Sequence, residues 1–275
     1  MFVNNTIVDA RIKNNMNKSH ITILKIVYVA IFTALCFVGT MVMIPIGSSK
    51  VHLGNFFCIL AGLLCGGWVG GLAGSLGMGL NDIVFGYSYS TYLRTFILKF
   101  LMGFIVGSLF RLLIKRKLNG QILIWIATGL MAMLFAYILT MYFQPDSKYS
   151  LTLVILTSVL FALILFVAIF SFKLDRTMSC LSFALLVALA VNVIGEFYIR
   201  ILLSMTTGIT YDVALVTSLG KLPGALLTSI VTIVFVLPLY YPLYKATHRI
   251  NVFNDLEEYI SFTKEEKDGT KEKAE

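Results

Sequence analysis

Apolar runs of about 20 residues recur along the whole chain with short polar breaks between them, and this spacing restricts the fold more than any other feature. A hydrocarbon core of roughly 30 Å takes about 20 helical residues at about 1.5 Å each. The runs lie at 24–46, 93–114, 121–143, 151–173, 180–204 and 217–245. Residues 55–86 are too many for one helix and few for two, so they predict two short helices that meet near Gly66 and Gly67. The pattern predicts an all-α integral membrane protein of about eight transmembrane helices. Composition agrees: 58% of the 275 residues are hydrophobic and 13% are charged, about half the charged share usual in soluble domains.

The net charge of +8 does not point to nucleic acid, because of where the cations fall. Arg11, Lys13, Lys18 and Lys25, then Arg111, Lys115, Arg116 and Lys117, then Lys173 and Arg176, then Lys245 and Arg249 all lie on one side of the predicted layout. The opposite loops carry only Lys50 and Lys148, so the positive-inside rule predicts that both termini are cytoplasmic. A single crossing over 55–86 would move the cluster from Arg111 to Lys117 to the outside, which is a second reason to split it. The first run is longer than a signal-peptide core and lacks an A-x-A site, so an uncleaved first helix is expected.

The chain therefore divides into a cytoplasmic N-terminal segment at 1–23, one transmembrane domain at 24–250 and a charged cytoplasmic tail at 251–275. Cys36, Cys58, Cys65 and Cys180 stand singly inside apolar runs with no C-x-x-C pair, which predicts packing residues, no disulfide and no metal site.

Six ionisable residues fall in or at the ends of the runs: Asp82, Arg94, Lys99, Glu196, Arg200 and Lys221. Each would cost roughly 2.5–3.5 kcal/mol at the centre of a lipid-facing helix, so they must face protein, water or ligand. Helical spacing agrees. Asn192, Glu196, Arg200 and Ser204 recur every four residues, as do Thr91, Thr95, Lys99, Gly103, Gly107 and Arg111; Thr217, Lys221 and Thr228 extend the pattern to the last helix. With Lys50, His52 and Asn55 before the second helix and Tyr87 and Tyr89 after the third, these residues predict a polar pocket that opens outward. Four of the six charges are cationic, which favours a ligand with a carboxylate or other negative group. The two tyrosines fit either an interfacial belt or a stack on a flat ligand.

Gly62, Gly66, Gly70 and Gly74 recur every four residues, as do Gly67 and Gly71, and Gly103 and Gly107. Small residues at this spacing let helix backbones approach closely in lipid. The order is more specific than the spacing: glycine-rich short helices, a terminal Asp82, an aromatic loop, then a helix carrying Lys99.

On those residues the chain resembles a known family. "HLGNFFCILAGLLCGGWVGGLAGSLGMGLNDIVFGYS" followed by "TFILKFLMGFIVGSL" is similar to the membrane-embedded substrate-binding subunit, or S component, of energy-coupling factor (ECF) transporters for vitamins and related micronutrients. The likeness spans 24–114 and 180–245 and rests on His52, Gly54 and Asn55, on Gly66, Gly67, Gly70 and Gly71, on Asp82, Gly86 and Tyr87, and on Thr95 and Lys99. That family has six helices, so 121–173 becomes an inserted helical pair between its fourth and fifth.

The resemblance implies a multi-pass subunit of the cell membrane that binds its vitamin from outside and docks on a transmembrane coupling (T) component driven by two cytoplasmic ATPases. It implies a docking surface of small residues on the first helix, here Ala30 and Ala34. Flavin, pantothenate, a pyridoxine-type vitamin, a thiamine precursor and folate all remain open as ligands. ATP belongs to the partners, because "TSLGKLPG" lacks the upstream glycine of a phosphate-binding loop and has Leu222 where Ser or Thr is required.

Two other classes compete. In an ion-coupled secondary transporter Asp82 and Glu196 would be the coupling carboxylates, but the chain has no convincing inverted repeat. A membrane enzyme would lack its base: His20, His52 and His248 form no H-E-x-x-H motif and pair with no serine at a common depth.

Overall fold

The computed structural model describes residues 3–46, 49–144 and 151–247, and the proposed tail at 251–275 lies outside them. Among the described residues there are eight α-helices: α1 (Val3–Met41), α2 (Gly54–Cys65), α3 (Gly67–Val84), α4 (Tyr89–Lys115), α5 (Gly120–Tyr142), α6 (Leu151–Ser171), α7 (Arg176–Thr206) and α8 (Tyr211–Thr247). Five stretches are long and apolar enough to cross a bilayer, namely Thr22–Met41 of α1, all of α4, α5 and α7, and Tyr211–Tyr240 of α8. With 12 residues α2 rises only about 18 Å, and with 18 residues α3 rises about 27 Å.

The first apolar run does not stay helical to its expected end at 46. The helix stops at Met41, and Met43–Ile46 forms β1, which pairs antiparallel with β2 (Ser49–His52) in the register Met43↔His52, Ile44↔Val51 and Pro45↔Lys50. Pro45 has no N–H to give a helix and its ring would clash one turn back, while Val42, Ile44 and Ile46 favour extended backbone. At its other end α1 is longer than its apolar run and takes in most of the segment before residue 24.

The break between α2 and α3 falls at Gly66, whose φ of 104° and ψ of 159° belong to a region that essentially only glycine enters. Its N–H still reaches Gly62 O at 3.0 Å, closing the last turn of α2. Arg111 Nη2 donates to Leu64 O at 3.4 Å, so a cation meets the carbonyl end of that helix.

The folded-back pair α2–α3 packs on α4 through glycine. A Cβ on Gly103 would lie 2.5 Å from Gly70 O and 2.7 Å from Gly71 N, and one on Gly107 would lie 2.6 Å from Gly67 N. Side chains at these points would hold the backbones apart, and lipid offers no hydrophobic force to compensate. Around this contact lies the apolar core, with Ile59, Met78, Met102, Val106, Leu181 and Leu185 all almost fully buried. All four cysteines are buried and unbridged, and the Cys58 thiol donates to Lys99 O at 3.5 Å.

Helix α4 also packs against α7, α7 against α8, and α8 against α2 and β2, which closes one bundle around the polar residues. Helices α5 and α6 pack on each other and against α7.

Candidate functional site

A cavity of about 230 Å³ opens between α1, the β-hairpin, α2, α3, α4, α7 and α8. It has room for a small organic molecule rather than a single water. His52, Asn55, Asp82, Tyr87, Arg94, Lys99, Asn192, Glu196, Arg200 and Lys221 all line it, so most of the polar residues selected from the sequence meet at one place.

One of the selected residues does not join them, and for a second the structure describes only the backbone. Tyr89 is 66% exposed and stacks edge-on against Tyr92 with centroids 5.2 Å apart, outside the lining. Lys50 pairs through its backbone with Pro45, and its side chain lies outside the described residues. On α8 the expected stripe holds at Lys221 and Thr228, which line the cavity, but not at Thr217. Thr217 is exposed and donates back to Val213 O at 2.9 Å, while Ser218, Leu222, Ala225 and Thr228 line the cavity beside Lys221.

The charged groups are arranged in three sets. On α4 and α7, Lys99 Nζ donates to Asn192 Oδ1 at 2.7 Å, deep in the wall where both residues are buried. Nearby, Glu196 Oε2 accepts from Arg200 Nη2 at 3.0 Å and stands 2.9 Å from Arg94 Nε, so one carboxylate oxygen serves two guanidinium groups. The Arg94 contact is an ion pair by distance but is bent out of hydrogen-bond alignment. In the third set Thr95 Oγ1 donates to Asp82 Oδ2 at 2.5 Å, which joins the end of α3 to α4.

These partners follow from the helical spacing. Arg94, Thr95, Lys99 and Met102 fall on the buried side of α4, and Asn192, Glu196 and Arg200 form the i, i+4, i+8 row of α7 that faces it. The lining carries Arg94, Lys99, Arg200 and Lys221 against Asp82 and Glu196, an excess of cations. An ammonium has three donors and Asn192 accepts one, so Lys99 keeps donor capacity for an acceptor in the cavity.

The remaining wall is soft and aromatic. Met41, Met43 and Met78 line it together with Phe85, Tyr87 and Phe197. Thioethers and ring faces pack well against a flat heterocycle. Among the described residues no group of His, Cys, Asp or Glu has the arrangement of a metal site.

Sequence reasoning passed over several lining residues. Thr40, Asn81 and Ser218 stand in otherwise apolar stretches and carried no charge to mark them. For Ser218 the signal was ambiguous, because positions three and four before Lys221 both fit a helical face.

A family model described as ECF-type riboflavin transporter, S component, matches residues 20–170, more than half of the chain. The chain belongs to that family. The matched stretch carries the hairpin, the glycine-rich pair α2–α3, Asp82 and Lys99, whereas Asn192, Glu196, Arg200 and Lys221 come from beyond it. As an S component the protein is multi-pass in the membrane and is the substrate-binding subunit of a vitamin transporter. No curated protein and no solved structure matches it.

On the surface of α1, Ala30 and Ala34 are exposed along with Ile23, Ile26, Val27, Ile31 and Val38.

Proposed function

We propose that this S component captures riboflavin in the cavity between α4, α7 and α8 and releases it inward only when docked on a coupling protein driven by two ATPases. The observation that carries the reading is the buried Lys99, held by the neutral Asn192 in a cavity wall with more cations than carboxylates. Such a site favours acceptor-rich molecules, and its aromatic and methionine wall suits a flat ring. The family description supplies riboflavin as the first candidate.

In this reading Lys99, Arg94 and Arg200 donate to carbonyl or ring acceptors of the substrate, and Glu196 sets the direction of both guanidinium groups. Asn192 fixes Lys99, Thr95 fixes Asp82, and Asn55, His52 and Lys221 add polar contacts. Phe85 and Tyr87 sit at the rim, 50% and 37% exposed, where they can cover a ring. Tyr89 has no part in the contact.

The charge pattern of the loops gives the orientation, with both termini in the cytoplasm and the cavity facing outward. All eight helices cross or enter the bilayer, α2 and α3 as a short folded-back pair. Helices α5 and α6 are an accessory hairpin carried on α7, and none of their residues lines the cavity. The exposed small residues Ala30 and Ala34 on α1 form the docking face for the coupling protein.

The test is mass spectrometry of the small molecule that copurifies with the detergent-solubilised protein from riboflavin-replete cells. One riboflavin per chain is the expected result. Pantothenate, a pyridoxine-type vitamin, a thiamine precursor or folate in its place overturns the choice of vitamin. Flux into proteoliposomes that hold this chain alone, driven by an ion gradient, overturns the subunit reading as a whole.

A further inference from the structure

Three polar atoms in the cavity wall have no hydrogen-bond partner among the described residues: Arg94 Nε, which still has the Glu196 carboxylate 2.9 Å away, and two with no charged neighbour of that kind. Asn55 Oδ1, in the first turn of α2, and Ser218 Oγ, on α8, are both shielded from water, and their residues are 1% and 2% exposed. Both residues line the cavity. Buried polar groups are nearly always paired, so each such atom calls for a cause.

Ser218 departs from the habit of its own helix. A helical serine or threonine usually turns its hydroxyl onto a carbonyl one turn earlier. On α8, Thr217 donates to Val213 O at 2.9 Å, Thr228 to Gly224 O at 2.8 Å, Ser229 to Ala225 O at 2.9 Å and Thr232 to Thr228 O at 2.7 Å. Ser218 makes no such bond among the described residues.

We infer that Ser218 and Asn55 form a specificity-determining pair, left unpaired by the fold for a substrate edge that carries an N–H or O–H donor. The inference rests on the cavity being the substrate site. An amide oxygen only accepts, so Asn55 demands a donor, while a hydroxyl can complete the edge in either sense. The wall on α4 and α7 supplies the donors Lys99, Arg94 and Arg200, the last two held by the acceptor Glu196, and Lys221 adds a donor on α8. The cavity therefore selects a molecule that presents a donor to Asn55 and Ser218 as well as acceptors to the cations. A molecule of similar size with no donor at that edge leaves both atoms unpaired and is rejected.

The pair has a signature that a merely structural residue lacks. Removing an unpaired buried hydroxyl relieves a cost in the protein without substrate and removes a bond in the protein with it. Stability and affinity should move in opposite directions.

The experiment compares Ser218→Ala with Ser182→Ala in the full-length detergent-solubilised protein, with riboflavin as the probe. Ser182 Oγ is likewise buried without a partner but lies outside the cavity lining, so it is the control. Without riboflavin, both substitutions should raise Tm by about 2–4 °C. Ser218→Ala should weaken riboflavin binding roughly tenfold or more, and Ser182→Ala should leave it within about twofold. A Tm for Ser218→Ala that falls or stays unchanged, or an unchanged affinity, overturns the inference. If the unsubstituted protein fails to bind riboflavin, the choice of vitamin falls with the proposed function, whereas riboflavin binding that Ser218→Ala leaves unchanged overturns this inference alone.

Discussion

Lys99 Nζ on α4 donates to Asn192 Oδ1 on α7 over 2.7 Å, although the two residues are 93 positions apart and both are buried. The amide of Asn192 accepts from the ammonium without neutralising it, so the charge stays available inside the bundle. Replacing Asn192 with Leu takes away the acceptor of that buried ammonium and should cost about 3 kcal/mol of stability. Thermal unfolding in detergent checks this. A Tm equal to that of the unsubstituted protein would show that Lys99 finds another acceptor.

Lys99→Ala removes the donor itself. It should weaken riboflavin binding about 10- to 100-fold, in line with a hydrogen bond to a charged group, while leaving copurification with the coupling protein intact. Unchanged affinity in a binding titration would take Lys99 out of the site.

Glu196 holds Arg94 and Arg200 through one oxygen, at 2.9 and 3.0 Å. Glu196→Gln leaves two close guanidinium groups with a neutral partner and should destabilise the protein by about 3 kcal/mol. Adding Arg94→Met should recover part of that loss, because it removes the repulsion and the desolvated charge together. Additive losses in the double variant would mean that the three residues do not act as one cluster.

The glycine contact predicts a contrast between two alanine substitutions. A Cβ at Gly103 would lie 2.5 Å from Gly70 O, backbone that cannot yield, whereas a Cβ at Gly129 on α5 meets nothing within 4 Å. Gly103→Ala should cost about 2 kcal/mol or more. Gly129→Ala should be neutral or stabilise by about 1 kcal/mol through helix propensity. Equal effects in a thermal-shift assay would remove close backbone packing as the reason for the glycines.

Ala30→Trp tests the proposed docking face. Ala30 is exposed on α1 and is absent from the cavity lining, so riboflavin affinity should hold while the complex with the coupling protein is lost on copurification. A complex that still copurifies would refute this face.

The physics of lipid made much of this protein readable from its sequence. Hydrocarbon thickness set the lengths of α5 and α6 closely, while α4 and α7 extend past their apolar runs at both ends, and only glycine could make the turn at Gly66. The cost of intramembrane charge likewise drew Asp82, Arg94, Lys99, Glu196 and Arg200 into one cavity. The hairpin was hidden because "VMIPI" is as apolar as a helix end, and hydropathy alone does not separate extended from helical backbone. Ser218 and Thr217 are adjacent hydroxyls, and which of them faces inward depends on the rotation of α8, which packing against α7 and α2 decides. Tyr89 was drawn in by its neighbour Tyr87, but α4 begins at Tyr89 and carries that ring away from the cavity.

The most direct test of substrate capture is a fluorescence titration of riboflavin into the purified chain in detergent, without coupling protein, ATPases or ion gradient. The account predicts saturable binding at one riboflavin per chain, weakened by Lys99→Ala. Absence of saturable binding to the folded protein would contradict it.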